Sequence, residues 1–157
     1  MTEVYVGMCA DILHVGHINI LRFAASLGKV TVGLITDQAV AAYKGPVLVP
    51  FESRRAVLES VRWVERVVEQ DHPSPVDNLR ALKPRIFCHG DDWRVGPLTT
   101  IRASVLAALE EWGGKLVEAA YTPGVSSSQL RERLKQLHGI PDPALQSINT
   151  QGGTRNV

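Results

Sequence analysis

The chain is poor in the features that mark specialised protein classes. Only two of its 157 residues are cysteine, Cys9 and Cys88, too few for the disulfide framework of a small secreted domain. Neither sign of charge dominates, since 17 Lys and Arg balance 16 Asp and Glu to a formal net charge of +1. That balance excludes a broad basic face for nucleic acid or anionic membrane, although a local cluster of cations still suits one anionic ligand. No apolar run approaches the roughly 20 residues of a membrane span, and the opening "MTEVYVGM" has neither a basic nor an apolar signal region. No membrane partner, no nucleic-acid partner and a cytoplasmic location are therefore expected. What remains is 45% hydrophobic and 21% charged, an ordinary globular composition on a chain long enough to bury a core without staples.

Short β-branched runs alternate with longer helical patterns, and there is no internal repeat. "EVYVGMC" (3–9), "KVTVGLI" (29–35), "VERVVE" (64–69), "PRIFCH" (84–89) and "KLVEAA" (115–120) read as strands. Most are near-continuously apolar, the mark of parallel strands covered on both faces. Helices are expected at about 16–27, 37–43, 52–61, 76–82, 98–112 and 127–138. The alternation predicts an α/β fold: a Rossmann-like, doubly wound, mostly parallel five-stranded sheet with helices on both faces. Residues 1–137 form the expected domain. From 138 to 157 the chain turns rich in Pro, Gly, Asn, Gln and Ser, and reads as a polar tail or linker toward a second domain.

In such folds ligands bind beyond the carboxyl ends of the strands. That rule selects "GMCADILHVGH" after the first strand, "TD" and "YKGP" after the second, "CHGDDW" after the fourth and "YTPGVSSSQL" after the fifth. His14 and His17 bracket a helix start, with Gly16 between them. Imidazole N–H donors beside free backbone N–H groups suit phosphate oxygens; the structural alternative is a helix start with incidental histidines. Zinc is disfavoured, because the spacing of Cys9, Cys88, His14, His17 and His89 matches no closed site. Asp91 and Asp92 suit Mg²⁺ or a ribose hydroxyl, with Trp93 either lining a base pocket or packing in the core. Ser126, Ser127 and Ser128 open a helix after a Pro-Gly turn, where one serine caps and three suit triphosphate oxygens. Lys44 lies in a Gly-Pro loop, and Arg54 and Arg55 lie in a first helical turn, where a cation calls for an anionic partner.

Together these segments resemble the cytidylyltransferase family of nucleotidyltransferases. "HVGH" (14–17) is similar to its HxGH motif, "FESR" (51–54) to its aromatic-Glu-x-Arg, "GDDW" (90–93) to its fourth-strand motif and "TPGVSSS" (122–128) to its closing signature. Two departures stand out: Tyr121 replaces the signature arginine, and "PVDNLRAL" lacks the acceptor-site lysine of the glycerol-3-phosphate enzymes. The wording "EWGGKLVE", "VPFE" and "HGDDW" is similar to phosphonate cytidylyltransferase domains, those of fosfomycin biosynthesis included, which are often fused to phosphoenolpyruvate mutase.

The resemblance implies transfer of CMP from CTP to a small phosphonate, best 2-hydroxyethylphosphonate, with release of pyrophosphate. Alternatives are 2-aminoethylphosphonate or ethanolamine phosphate, with Asp37 or Asp77 facing the amine, and a silent nucleotide-binding assembly domain. It implies His14, His17 and Lys44 as catalytic residues. Nucleotide contacts would come from Met8, Cys9, Ala10, His14, Gly16, His17, Gly90, Asp92, Trp93, Thr122, Gly124, Val125, Ser126, Ser127 and Ser128. Asp11, Lys44, Arg54 and Tyr121 would bind the acceptor, Asp11 and Asp92 would hold Mg²⁺, and the protein would be a homodimer.

Overall fold

A computed structural model describes residues 1–138. The expected tail at 138–157 lies outside the described residues, apart from His138. The elements are β1 (Glu3–Met8), α1 (Val15–Leu27), β2 (Lys29–Ile35), α2 (Asp37–Lys44), α3 (Phe51–Glu59), β3 (Val64–Gln70), α4 (Val76–Leu82), β4 (Ile86–Gly90), a 3₁₀ turn (Asp91–Arg94), α5 (Thr99–Glu110), β5 (Lys115–Ala119) and α6 (Ser127–His138). The five strands form one sheet in the order β3-β2-β1-β4-β5, and every pairing is parallel. The expected fold class is therefore the observed one. The connections reverse direction between β1 and β4, which sets the switch point beside the loop carrying His14.

Two apolar layers follow from strand alternation. Val4, Val6 and Met8 of β1 face Leu21 and Ala24 of α1 and Leu58 of α3. Tyr5 and Phe87 face Leu79 of α4 and Val105 and Leu109 of α5. Central strands are buried on both sides, which explains why they read as continuous apolar runs. Each strand end then presents its loop to the same edge of the sheet.

One glycine makes the second layer possible. A Cβ on Gly33 would lie 1.7 Å from the Tyr5 hydroxyl oxygen, so the Tyr5 ring crosses β2 only because residue 33 has no side chain. Its hydroxyl donates to Gln70 Oε1 at 2.9 Å. Gln70 Nε2 in turn donates to the carbonyls of His72 at 2.8 Å and Pro73 at 3.3 Å. A buried chain thus fixes the loop after β3, where residues Gln70, Pro73 and Pro75 reach the cavity described next.

Candidate functional site

The loops at the carboxyl edge of the sheet enclose a cavity of about 1030 Å³. Its walls contain His14, Gly16 and His17 from the start of α1, Lys44 from the end of α2, and Gly90, Asp92 and Trp93 after β4. Tyr121, Thr122, Val125 and the three serines 126–128 close it from the β5–α6 side, and Met8, Cys9 and Asp11 line it from β1. Four separate strand ends therefore converge, as the sequence predicted. Ala10, Arg54 and Gly124 are outside that lining.

The two histidines cap their own helix. His14 Nδ1 accepts the Gly16 backbone N–H at 3.1 Å, and His17 Nδ1 accepts the His14 backbone N–H at 3.2 Å. This is the reciprocal geometry of a capping box, built from imidazoles instead of a hydroxyl and a carboxylate. Because each Nδ1 accepts, the neutral ring carries its proton on Nε2. Each ring thus keeps an Nε2–H for which no hydrogen-bond acceptor occurs among the described residues. The rings are 4.0 Å apart between centroids. Burial holds His17 down to a pKa of about 4, helped by repulsion from His14 and Lys44, and burial also lowers His14. Both are neutral hydrogen-bond donors near pH 7. Gly16 serves the ring: a Cβ there would meet His14 Cε1 at 2.8 Å.

Across the cavity, Ser126 is the N-cap of α6, its Oγ accepting the Gln129 N–H at 3.1 Å. Ser127 and Ser128 also line the cavity, so one of the three serines expected at the nucleotide is engaged in capping the helix. Thr122 Oγ1 accepts from Asn19 Nδ2 at 3.1 Å, which ties the β5–α6 loop to α1. Lys44 lies 5.2 Å from the Tyr43 ring centroid and is exposed at the rim.

Trp93 packs in the core and also lines the cavity. It is 2% exposed, stacks on His89 at 3.9 Å and still borders the cavity. Its Nε1 donates to Glu118 Oε1 at 2.8 Å. Arg102 and Arg94 also bond Glu118, and these contacts hold its carboxyl down at about 2, Arg102 contributing most. Glu118 was missed in the sequence, although a carboxylate inside an apolar strand is itself a signal.

Three expectations are corrected. Arg54 does not reach the phosphate end. Its guanidinium is buried and donates to the carbonyls of Cys9, Ile35 and Val49 and to Asp37 at 2.6 Å. It joins the ends of β1 and β2, because a buried cation must spend its donors on fixed acceptors. Asp37 is consumed by Arg54 and by the Phe51 N–H, and Asp77 lies outside the cavity, so neither faces an acceptor amine. Asp11 is 3% exposed, and both its oxygens are occupied. Oδ1 accepts the N–H groups of Leu48 and Val49 at 2.8 and 2.9 Å, and Oδ2 pairs with Arg131. Such a carboxylate does not fit a metal ion. Asp92 is less encumbered: it borders the cavity, and its carboxylate stands 4.0 Å from Nδ1 of His89, a ring that burial biases toward the neutral form. Among the described residues no group of three metal-ligating side chains occurs.

The cytidylyltransferase-like family model matches residues 5–133. The chain belongs to that family. The bifunctional protein HldE of Methylobacillus flagellatus is 31% identical over 83% of this chain and 26% of that protein. The ethanolamine-phosphate cytidylyltransferase of Arabidopsis thaliana is 32% identical over 84% of this chain and 32% of its own length. The chain thus spans between a quarter and a third of those relatives. The lipopolysaccharide core biosynthesis protein of Thermoplasma volcanium GSS1 shares the fold, with a TM-score of 0.67 at 22% identity over 78% of this chain and 98% of that one. Among the described residues no helix is long and apolar enough to cross a membrane.

Proposed function

We propose that this cytidylyltransferase-like domain transfers CMP from CTP to a small phosphonate or phosphate monoester and releases pyrophosphate. The observation that carries the reading is the pair of neutral Nε2–H donors at the start of α1 (His14, His17), facing the serine-capped start of α6 across one cavity. An acceptor oxygen forms a bond to the α-phosphorus as the bond from that phosphorus to the bridging oxygen breaks. The electron pair leaves on pyrophosphate. The acceptor oxygen is already anionic near neutral pH, so no general base is required, and depressed histidine pKa values are no handicap. Catalysis is positioning and electrostatic support of anions.

On this reading His14 and His17 donate to α- and β-phosphate oxygens. Ser127, Ser128 and the free N–H groups of α6 hold the outer phosphates, and Lys44 bridges acceptor and α-phosphate. Gly90 and Trp93 border the base, with Glu118 keeping the indole fixed. Mg²⁺ enters with the triphosphate as part of the substrate and would meet Asp92; when bound it neutralises phosphate charge.

Two acceptor classes have support. Ethanolamine phosphate is favoured by the Arabidopsis relative. A neutral head group, as in 2-hydroxyethylphosphonate, is favoured by the carboxylates: Asp11 and Glu118 are spent on arginines, which leaves Asp92 alone among the lining carboxylates. A pyrophosphate-release screen of CTP, ATP, UTP and GTP against hydroxyethyl- and aminoethylphosphonate, phosphoethanolamine and glycerol 3-phosphate decides between them. CTP binding with no pyrophosphate released for any acceptor would point to the assembly-domain alternative. Homodimerisation and fusion to a mutase are part of the same proposal, the first checked by sedimentation.

A further inference from the structure

A triphosphate and an anionic acceptor crowd several negative charges into this cavity, yet its described walls contain only two side chains that are cationic at neutral pH, Lys44 and Arg131. Lys44 stands at the exposed rim. Arg131 belongs to α6, four residues after Ser127 and three after Ser128. Residues three and four apart share a helix face, so the guanidinium lies one turn behind the serine hydroxyls on the side that faces the cavity. It is also held in place. One Nη2 serves both the Asp11 carboxylate and the Pro46 carbonyl, the latter at 3.2 Å, while Asp11 is itself fixed by the Leu48 and Val49 N–H groups. Among the described residues neither Nε nor Nη1 of Arg131 donates to the protein. A planar fork with one edge anchored and other donors open is a ready contact for phosphate oxygens.

We infer that Arg131 is a phosphate-binding residue for the outer phosphates of the nucleotide and for the leaving pyrophosphate, and that Asp11 is its positioning residue. The inference rests on the nucleotidyltransferase reading and deepens it. It also gives a role to the latch that Asp11 makes between α6 and the loop after Lys44.

The test compares Arg131→Gln with the wild-type chain and with Arg133→Gln, a neighbour outside the cavity lining. Calorimetric titrations with CTP, CMP and inorganic pyrophosphate are run on each. For Arg131→Gln, affinity for CTP and pyrophosphate falls tenfold or more while CMP, which lacks the outer phosphates, stays within about twofold. Arg133→Gln changes none of the three. If CMP affinity falls in step with CTP, Arg131 acts only by holding the fold, and the inference is overturned; it is equally overturned if CTP and pyrophosphate bind Arg131→Gln normally. Should Arg131→Gln not fold, Arg131→Lys keeps the charge toward Asp11 but loses the fork, and the same selective loss, of about threefold or more, is required. Failure of wild-type protein to bind CTP or pyrophosphate at all is a different result, which removes the nucleotidyltransferase reading instead.

Discussion

His17 does two jobs with two nitrogens. Nδ1 closes the cap of α1 and the ring borders the cavity, so its removal costs a helix cap and, on the proposed function, a phosphate donor. His17→Ala should lose about 3 kcal/mol of transition-state stabilisation, roughly a hundredfold in kcat, on the scale of one preorganised donor. Unchanged turnover in a CTP-dependent pyrophosphate-release assay would refute the phosphate role. His17 also sets a pH dependence of stability. Its folded pKa, about 4, lies below the ordinary histidine value of 6.5, so between these two values the unfolded chain binds a proton that the folded chain refuses. Stability is full above pH 6.5 and declines as the pH falls toward 4. From pH 7 to pH 5 the His17 share of that decline is about 2 kcal/mol. Urea unfolding of His17→Gln should show a correspondingly shallower decline than wild type; equal declines would contradict the assignment of the shift to His17.

At the scale of elements, strands and helices were legible nearly to the residue, because period and burial agree. β2 was read at 29–35 and is Lys29–Ile35; α1 was read at 16–27 and is Val15–Leu27. The local signals at α1, Thr36 and Ser126 are caps, and caps are written in the sequence within three residues of their partners. What was not legible joins distant segments. Asp11 and Arg131 are separated by 120 positions, and nothing near either residue announces the other. Arg54 was misassigned for the same reason: an arginine in a first helical turn called for an anionic partner, and the partner turned out to be Asp37 with three backbone carbonyls, not a phosphate. Those carbonyls make a prediction about stability. Arg54→Ala leaves the ends of β1 and β2 without their shared donor, at a cost on the order of 3 kcal/mol. Chemical denaturation should find a large drop in midpoint, while Arg55→Ala, whose partner Glu59 is an exposed neighbour on the same helix, should leave the midpoint nearly unchanged. Equal effects of the two substitutions would mean that the buried hub carries no special weight.

Across the whole molecule stability is unevenly distributed, and the uneven part is α6. The sheet is buried on both faces by α1, α3, α4 and α5, whereas no residue of α6 with a described side chain falls in the buried class. The helix and its loop are held by a few polar ties instead: Arg131 to Asp11, Thr122 to Asn19 and the Tyr121 N–H to Asp91 at 3.0 Å. Polar ties at a partly exposed surface are individually weak, so local opening of α6 requires far less free energy than global unfolding. Ser127, Ser128 and Arg131 nevertheless all belong to this helix, so on the proposed function the nucleotide would bind at the least stable element and tie it to the most stable ones. Hydrogen exchange measures that coupling directly. Without nucleotide, α6 amides should exchange orders of magnitude faster than those of β1 and β2. With CTP at a hundred times its Kd, binding to the closed form alone adds about 2.7 kcal/mol, a slowing of roughly a hundredfold for α6 and the loop before it. If α6 is already as protected as the sheet in free protein, or if saturating CTP leaves α6 exchange unchanged, this division between a rigid sheet and a ligand-closed helix is wrong.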